Sequence, residues 1–136
     1  MKDSTNVVLM ALTIWREARG ESFDARTGVA FVIRNRVQKP CWWGKTWLQV
    51  CFRRWQFSGV TATGDPNLIK WPREDNIADW KSWEDCYLIA DKVYRGNLSD
   101  PTCGATHYHD TSIDLPAAWG GNMQATTSIG RLRFYK

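Results

Sequence analysis

Hydrophobic positions along the first part of the chain repeat at intervals of three and four residues, which is the spacing of one face of an α-helix. The first stripe covers residues 7–18, and Gly20 is placed to end it. A second stripe begins near Ser22 and runs to about residue 38, where Pro40 stops it. The pattern therefore predicts two consecutive helices at the start of the chain.

The middle of the chain predicts an irregular segment followed by a long helix. Residues 40–74 are punctuated by Gly and Pro and rich in Trp, with room for a short helix over residues 46–52. From about Ile77 to Arg95 apolar and aromatic residues again repeat at helical spacing, and Gly96 ends the run. We expect its stripe to lie in the core: Trp80, Trp83, Tyr87, Ala90 and Tyr94.

The C-terminal part changes to the alternation of short strands. Residues 106–109 and 131–135 alternate in this way, and residues 120–122 have the composition of a turn. The sequence thus predicts an α+β fold: a mostly helical domain with a small C-terminal β element. With 136 residues, one domain over residues 1–136 is expected.

Composition narrows the class of protein. No apolar run approaches the ~20 residues of a membrane-spanning helix, and the apolar start lacks a signal-peptide cleavage site. We therefore expect synthesis in the cytoplasm, no membrane insertion and, for action at a cell wall, release by another route. The net charge of +4 favours anionic polymers, but no dense basic run suggests nucleic acid.

Two residue types stand out in the composition. Nine Trp suggest, besides core packing, a surface that recognises flat apolar faces such as sugar rings. The four Cys show no C-x-x-C spacing, and free thiols are the default for a cytosolic protein. Their pairing stays open from sequence alone: Cys41, Cys51, Cys86 and Cys103.

The run Glu17-Ala18-Arg19-Gly20-Glu21 is the first candidate for chemistry. Glu17 falls in the last turn of the first helix, beside apolar neighbours. Helix-end carbonyl dipoles and partial burial both favour the protonated form of a carboxyl group, which suits a general acid. Arg16 and Arg19 oppose this effect. The plainer interpretation is an exposed helix end with solvated charges.

Two further segments carry polar groups among aromatic residues. His107 and His109 would share one side of a strand and, with Cys103 or Asp110, could bind zinc. They are the only two His, and their spacing fits no established zinc pattern, so we expect no metal. The segment 55–58 places Gln56 between aromatic rings, where it could bind a polar ligand edge while the rings stack on an apolar face.

Together these segments resemble the SleB-type cell-wall hydrolase family, named for spore cortex-lytic enzymes and also found in phage lysins. The likeness covers the chain from about residue 9 to its end. Five segments carry it in order: Ile14–Glu21, Gly28–Val37, Gln56–Ser58, Asp100–His109 and Ile129–Tyr135. Three positions depart from the family pattern: Leu132 replaces a His, Gly59 a Trp or Cys, and Cys103 a small or polar residue.

The resemblance implies a lysozyme-like domain that cleaves peptidoglycan between N-acetylmuramic acid and N-acetylglucosamine. The family acid corresponds to Glu17, acting without a cofactor as a lytic transglycosylase or a muramidase. The other matched segments imply substrate-binding residues: Gln56, Phe57, Ser58, Thr106, His107 and Tyr108. A monomeric phage endolysin with peptidoglycan as its partner is expected. The alternatives are a zinc-dependent amidase or peptidase and a non-catalytic wall-binding module.

Overall fold

Four helices and a three-stranded antiparallel sheet organise the described part of the chain, which comprises residues 4–52 and 70–136 of a computed structural model. The helices are α1 (Ser4–Ala18), α2 (Phe23–Gln38), α3 (Trp47–Phe52) and α4 (Ile77–Tyr94). The strands are β1 (His107–Asp110), β2 (Ala125–Ile129) and β3 (Leu132–Tyr135), with a short 3₁₀ helix at Ala117–Trp119. The expected α+β class, mostly helical with a small C-terminal β element, is confirmed.

Side-chain caps explain where two of the helices begin. The Ser22 hydroxyl accepts a hydrogen bond from the Ala25 amide at 3.1 Å, so α2 starts at the next residue, Phe23. The Asn76 side chain does the same for the Asp79 amide at 3.0 Å, and α4 starts at Ile77. Both starts agree with the sequence pattern.

The core lies where α1 packs against α2, α3 and α4. Most of the largest buried side chains come from α1 and α2, and Phe134 of β3 is also among them. Fully buried aliphatic residues of α4 and α3 close the cluster. Its fully buried members include Met10, Ile14, Trp15, Phe31, Val50 and Ile89. Because α1 is buried on most of its surface, its C-terminal end is held in a fixed position.

The buried face of α4 differs from the expected one. Cys86, Ile89, Ala90 and Val93 are buried, roughly a quarter turn away from the aromatic stripe at ~100° per residue. The expectation that the whole stripe is core was wrong: Trp80 is 36% exposed, and Trp83, Tyr87 and Tyr94 are half-buried. Small and aliphatic side chains allow α4 to approach α1 and α2 closely, and the larger rings cover the edge of that contact.

The sheet has the order β1-β3-β2, and both strand pairs are antiparallel. The central strand β3 aligns Tyr108 with Phe134 and His107 with Tyr135. The sequence pattern missed β2, whose residues are exposed or half-buried and do not alternate cleanly. A bulge between Ala125 and Thr127 interrupts its register, which explains the irregular pattern.

Two further expectations concern membrane insertion and cysteines. Within residues 4–52 and 70–136, no helix is long and apolar enough to cross a membrane. All four cysteines are free thiols, with Cys51 and Cys86 buried and Cys41 and Cys103 exposed. Burial raises the pKa of the Cys51 thiol to about 12, so this thiol is an inert core group.

Candidate active site

Glu17 lies in the last turn of α1, where the helix leaves the core. Its neighbours Arg16 and Ala18 are buried, whereas Glu17 itself is half-buried. Residues 16–21, at the end of the helix, line a cavity of about 320 Å³. The candidate acid is therefore anchored by a rigid helix and reaches a solvent-accessible depression.

The turn after α1 is fixed by Arg19. Its Nη1 donates to the carbonyl oxygens of Trp15 and Arg16, at 3.2 and 3.3 Å, and its guanidinium lies 4.3 Å from the centre of the Trp15 ring. The Trp15 carbonyl oxygen also accepts from the Arg19 amide at 3.2 Å, so Arg19 binds carbonyl oxygens of the last turn through both its backbone and its side chain. Arg19 therefore supplies both a cap and a positive charge within the same cavity.

The second glutamate of the cavity, Glu21, is bound elsewhere. Arg131 Nε donates to its carboxylate at 3.1 Å, and the Glu21 side chain is only 12% exposed. Arg131 lies in the turn between β2 and β3, so this ion pair ties the cavity to the sheet. The two glutamates thus lie in different surroundings although only three residues separate them.

Hydrolysis of a glycosidic bond by the usual routes uses a second carboxylate, for which the sequence offers Asp65, Asp110 and Asp114 besides Glu21. Asp110 is the last residue of β1 and accepts a hydrogen bond from the Ser112 amide at 2.8 Å. Asp114 is exposed in the segment that follows. Asp65 lies outside the described residues. Among residues 4–52 and 70–136, Glu21 is thus the one of these candidates that lines the cavity of Glu17.

Tyr108 lies close enough to Glu17 for the two groups to interact electrostatically. Its ring packs on the helix-facing side of the sheet, 6.0 Å from the Phe134 ring. Burial and the charge of Glu17 raise the pKa of Tyr108 well above its usual range, while Arg36 acts in the opposite direction. The site therefore combines a carboxyl group with a neutral phenol that can donate or accept a hydrogen bond.

Two polar residues of α2 hold the segment that leads into β1. Arg36 Nε donates to the Thr106 carbonyl oxygen at 2.7 Å, and Asn35 Nδ2 donates to the Ala105 carbonyl oxygen at 2.9 Å. Burial lowers the pKa of Arg36 to about 10, so it keeps its charge at neutral pH. Because Thr106 directly precedes β1, these bonds fix the position from which Tyr108 projects.

Asp100 completes this support. Its carboxylate accepts hydrogen bonds from the Thr102 amide at 2.8 Å, from the Gly104 amide at 3.0 Å and from Asn35 at 2.9 Å. Burial alone would raise its pKa, but the hydrogen bonds from Thr102, Asn35 and Gly104 outweigh burial and lower the pKa. Sequence reasoning missed the supporting roles of Asn35, Arg36 and Asp100. The available signal was the polar run Arg34-Asn35-Arg36, which directly follows the apolar run of residues 29–33 in α2.

The two histidines occupy the other face of β1. The rings of His107 and His109 lie 4.9 and 5.9 Å from the Trp119 ring, and His109 stacks on Tyr135 at 5.3 Å. Burial, assisted by the charge of Arg36, lowers the pKa of His107 to about 4. His107 is therefore neutral at physiological pH and part of an aromatic cluster.

Both ring nitrogens of His109 have protein partners. Nδ1 lies 2.8 Å from the Asp110 carbonyl oxygen and Nε2 lies 2.9 Å from the Tyr135 hydroxyl. In the neutral ring Nδ1 therefore donates and Nε2 accepts. Within residues 4–52 and 70–136, no group of three or more His, Cys, Asp or Glu is arranged to hold a metal ion.

The predicted site residues are thus divided by the fold. Tyr108 lies within electrostatic range of Glu17, whereas His107 points to the opposite side of the sheet, with the Thr106 hydroxyl 2.9 Å from its Nδ1. The remaining predicted substrate-binding residues lie outside the described residues: Gln56, Phe57 and Ser58. The roles of all seven predicted residues stay predictions.

Comparison with known proteins identifies the family. Residues 20–135 match the family described as cell wall hydrolase, and the chain belongs to that family. Among curated proteins, none matches this chain in sequence. The matched segment begins after Glu17, so the role of Glu17 rests on its geometry and on the sequence motif.

Two solved structures share the fold. The catalytic domain of the Bacillus cereus SleB protein is 26% identical, with a TM-score of 0.68 over 100% of this chain and 93% of that one. The catalytic domain of the germination-specific lytic transglycosylase SleB from Bacillus anthracis is 25% identical, with a TM-score of 0.68 over 99% of this chain and 97% of that one. The expected SleB-type fold and cell-wall-degrading enzyme class are confirmed.

Proposed function

We propose that this enzyme cleaves the glycan strand of peptidoglycan between N-acetylmuramic acid and N-acetylglucosamine, with Glu17 as the general acid. The observation that carries the proposal is the position of Glu17 at the rigid end of α1, where it lines an open cavity. Tyr108 lies within electrostatic range of Glu17. The similarity to a lytic transglycosylase of the same fold supports this choice of reaction.

The reaction needs one carboxyl group in two roles. Protonated Glu17 gives its proton to the glycosidic oxygen, and the bond from that oxygen to C1 of the muramic residue breaks. The resulting Glu17 carboxylate takes the proton of the muramic 6-hydroxyl, whose oxygen bonds to C1 and closes a 1,6-anhydro ring. The proton balance closes without water, and Glu17 is protonated again.

Hydrolysis by the usual routes would need a second carboxylate to activate water or to attack C1. Glu21 shares the cavity but is bound to Arg131. This arrangement favours the transglycosylase over the muramidase, because the intramolecular hydroxyl replaces the activated water.

The direct test of the acid is Glu17→Gln. Glutamine keeps the shape and can donate a hydrogen bond, but it cannot transfer a proton to the leaving oxygen. General acid catalysis contributes roughly 10²–10⁴-fold, so we expect wall-clearing activity to fall by at least about 100-fold with the fold intact. Glu21→Gln is the matched control and should cost less. An active Glu17→Gln enzyme together with an inactive Glu21→Gln enzyme would transfer the role to Glu21.

The zinc-dependent alternative is tested by chelation. We expect activity to persist in excess EDTA, because a carboxylic acid catalyst needs no metal. The engagement of both His109 nitrogens supports this expectation. Loss of activity that zinc restores would support an amidase or peptidase instead.

The finer biological role that we propose is that of an endolysin, a single monomeric catalytic domain made in the host cytoplasm and released to the wall. The net charge of +4 suits anionic wall polymers. Expression in Gram-negative cells should cause lysis only when the inner membrane is permeabilised. Lysis without permeabilisation would contradict release by a separate route.

A further inference from the structure

A second cavity adjoins the one that contains Glu17. Its volume is about 540 Å³, and Arg19 lies in the wall of both cavities. The lining combines aromatic and charged groups from α1, α4 and the segment before α4: Trp15, Arg19, Lys70, Trp71, Arg73, Asn76 and Asp79. When a glycan strand is bound at Glu17, the sugar next to the reacting bond can therefore reach this second cavity.

The wall of this cavity is fixed to the catalytic helix by Arg16. Its Nε donates to the Lys70 carbonyl oxygen at 3.0 Å, and its guanidinium lies 4.7 Å from the centre of the Trp71 ring. Arg16 is only 5% exposed, whereas Trp71 is 64% exposed. Arg16, the residue before Glu17, thus holds the Trp71 ring in a solvent-exposed position near the reacting centre.

Among the described residues that line the cavity, the charges have a positive excess. Arg19, Lys70 and Arg73 contribute three cations, and Asp79 contributes one carboxylate. Asp75 offsets Arg73 through two hydrogen bonds, at 3.1 and 2.8 Å. The cationic side of the cavity is therefore formed mainly by Lys70 and Arg19, which suits an anionic group on the ligand.

An aromatic ring next to cations fits a sugar that carries a carboxylate. Trp71 offers an apolar face for a pyranose ring, and Lys70 offers a mobile point charge. In the glycan strand N-acetylglucosamine is neutral. N-acetylmuramic acid carries a carboxylate, either on its lactyl group or on the peptide linked to that group. The two sugars therefore differ in the chemistry that this cavity recognises.

We propose that this cavity is the subsite for the muramic acid residue, with Trp71 against the sugar and Lys70 and Arg19 near its carboxylate. The inference rests on the proposed function, because it takes the glycan strand as substrate. It assigns Lys70 and Trp71 as specificity-determining residues.

The test compares Lys70→Gln with the parent enzyme on three soluble glycan strands: peptide-bearing strands, the same strands with their carboxylates amidated, and strands stripped of peptide by an amidase. An exposed ion pair is worth about 0.4–1 kcal/mol in the upper part of its usual range, so we expect KM to rise about 2–5-fold on peptide-bearing strands and to stay unchanged on amidated ones. On peptide-bearing strands the lactyl carboxyl is held in an amide bond, so a KM effect there reports the carboxylates of the peptide. A KM effect that persists on stripped strands shows that the subsite also accepts the free lactyl carboxylate, and one that vanishes assigns the peptide alone.

Matched variants keep the test specific. Lys92→Gln removes the same charge from an exposed position about 20 Å along α4 from Asp79, and it should leave KM unchanged. Trp71→Ala should raise KM on all three strands and Trp71→Phe should restore much of the binding, whereas Ala at the exposed Trp42 should change little.

An equal KM effect of Lys70→Gln on native and amidated strands, or no effect on any strand, would overturn the subsite. This outcome does not depend on which residue is the catalytic acid, because Lys70→Gln is expected to change KM whereas Glu17→Gln is expected to change kcat. If Glu17→Gln remained active, the catalytic proposal would fail while the charge-dependent KM of Lys70→Gln still held.

Discussion

The four residues of β1 alternate between the two faces of the sheet, and the two faces have different surroundings. Tyr108 points toward α2 and Glu17, and its hydroxyl lies in the field of that carboxyl group. His107 and His109 point the other way, into a cluster with Trp119. One short motif therefore supplies the site from one face and packs the sheet with the other, and sequence proximity alone cannot separate these roles.

The largest effect that separates the faces is expected from Tyr108→Ala. Removing the ring takes away a polar group beside Glu17 and packing against Phe134, so activity should fall by more than about tenfold. Tyr108→Phe keeps the ring and should cost up to about tenfold, because a hydrogen-bonding group contributes about 0.5–1.5 kcal/mol. The measurement is the initial rate on purified peptidoglycan, with the melting temperature recorded for each variant.

His109→Gln is the control on the opposite face. It should lower the melting temperature, since the ring stacks on Tyr135, while leaving the rate of the folded enzyme near that of the parent. Equal losses of rate in Tyr108→Phe and His109→Gln would contradict the division of the strand.

The close packing between α2 and the helix-facing side of the sheet predicts the next largest effect, which is a loss of stability. A Cβ added at Gly28 would lie 2.5 Å from Cζ of Phe134, whose buried ring also contacts Tyr108. Overpacking of this kind costs about 1–3 kcal/mol, so Gly28→Ala should lower the free energy of unfolding by that amount in a denaturant titration. Gly121→Ala, whose Cβ would meet nothing within 4 Å, should change it little.

The histidine face predicts a smaller, pH-dependent effect. The pKa of His107 is about 4 in the folded protein and 6.5 in the reference state. The unfolded chain therefore binds more protons between these values, and stability contributed by neutral His107 is lost as pH falls from about 6.5 toward 4. His107→Gln should reduce the difference in unfolding free energy between pH 7 and pH 5 by roughly 1–2 kcal/mol. An unchanged difference would place this ring in contact with water.

Much of the architecture follows from local patterns. The caps at Ser22 and Asn76 and the periodic stripes define the helices, because these signals are local in sequence. The strand β2 and the orientation of α4 were not predictable in this way. Both depend on partners distant in sequence: a bulged pairing with β3, and small side chains of α4 meeting α1 and α2.

The candidate site shows the same limit. The position of Glu17 at a helix end could be read from its neighbours. The hydrogen bonds from Arg36 and Asn35 to residues 105 and 106 span 70 positions of the chain, so no local pattern indicates them. These bonds nevertheless decide which side of β1 faces the acid.

The most direct measurement of the central claim is the mass of the fragments released from purified peptidoglycan. A general-acid transglycosylase should release disaccharide-peptide fragments that end in 1,6-anhydro-muramic acid, each one water lighter than the hydrolytic product. The Glu17→Gln enzyme should release none above background. Fragments cut in the peptide with intact glycan strands, or anhydro products undiminished in Glu17→Gln, would contradict the account.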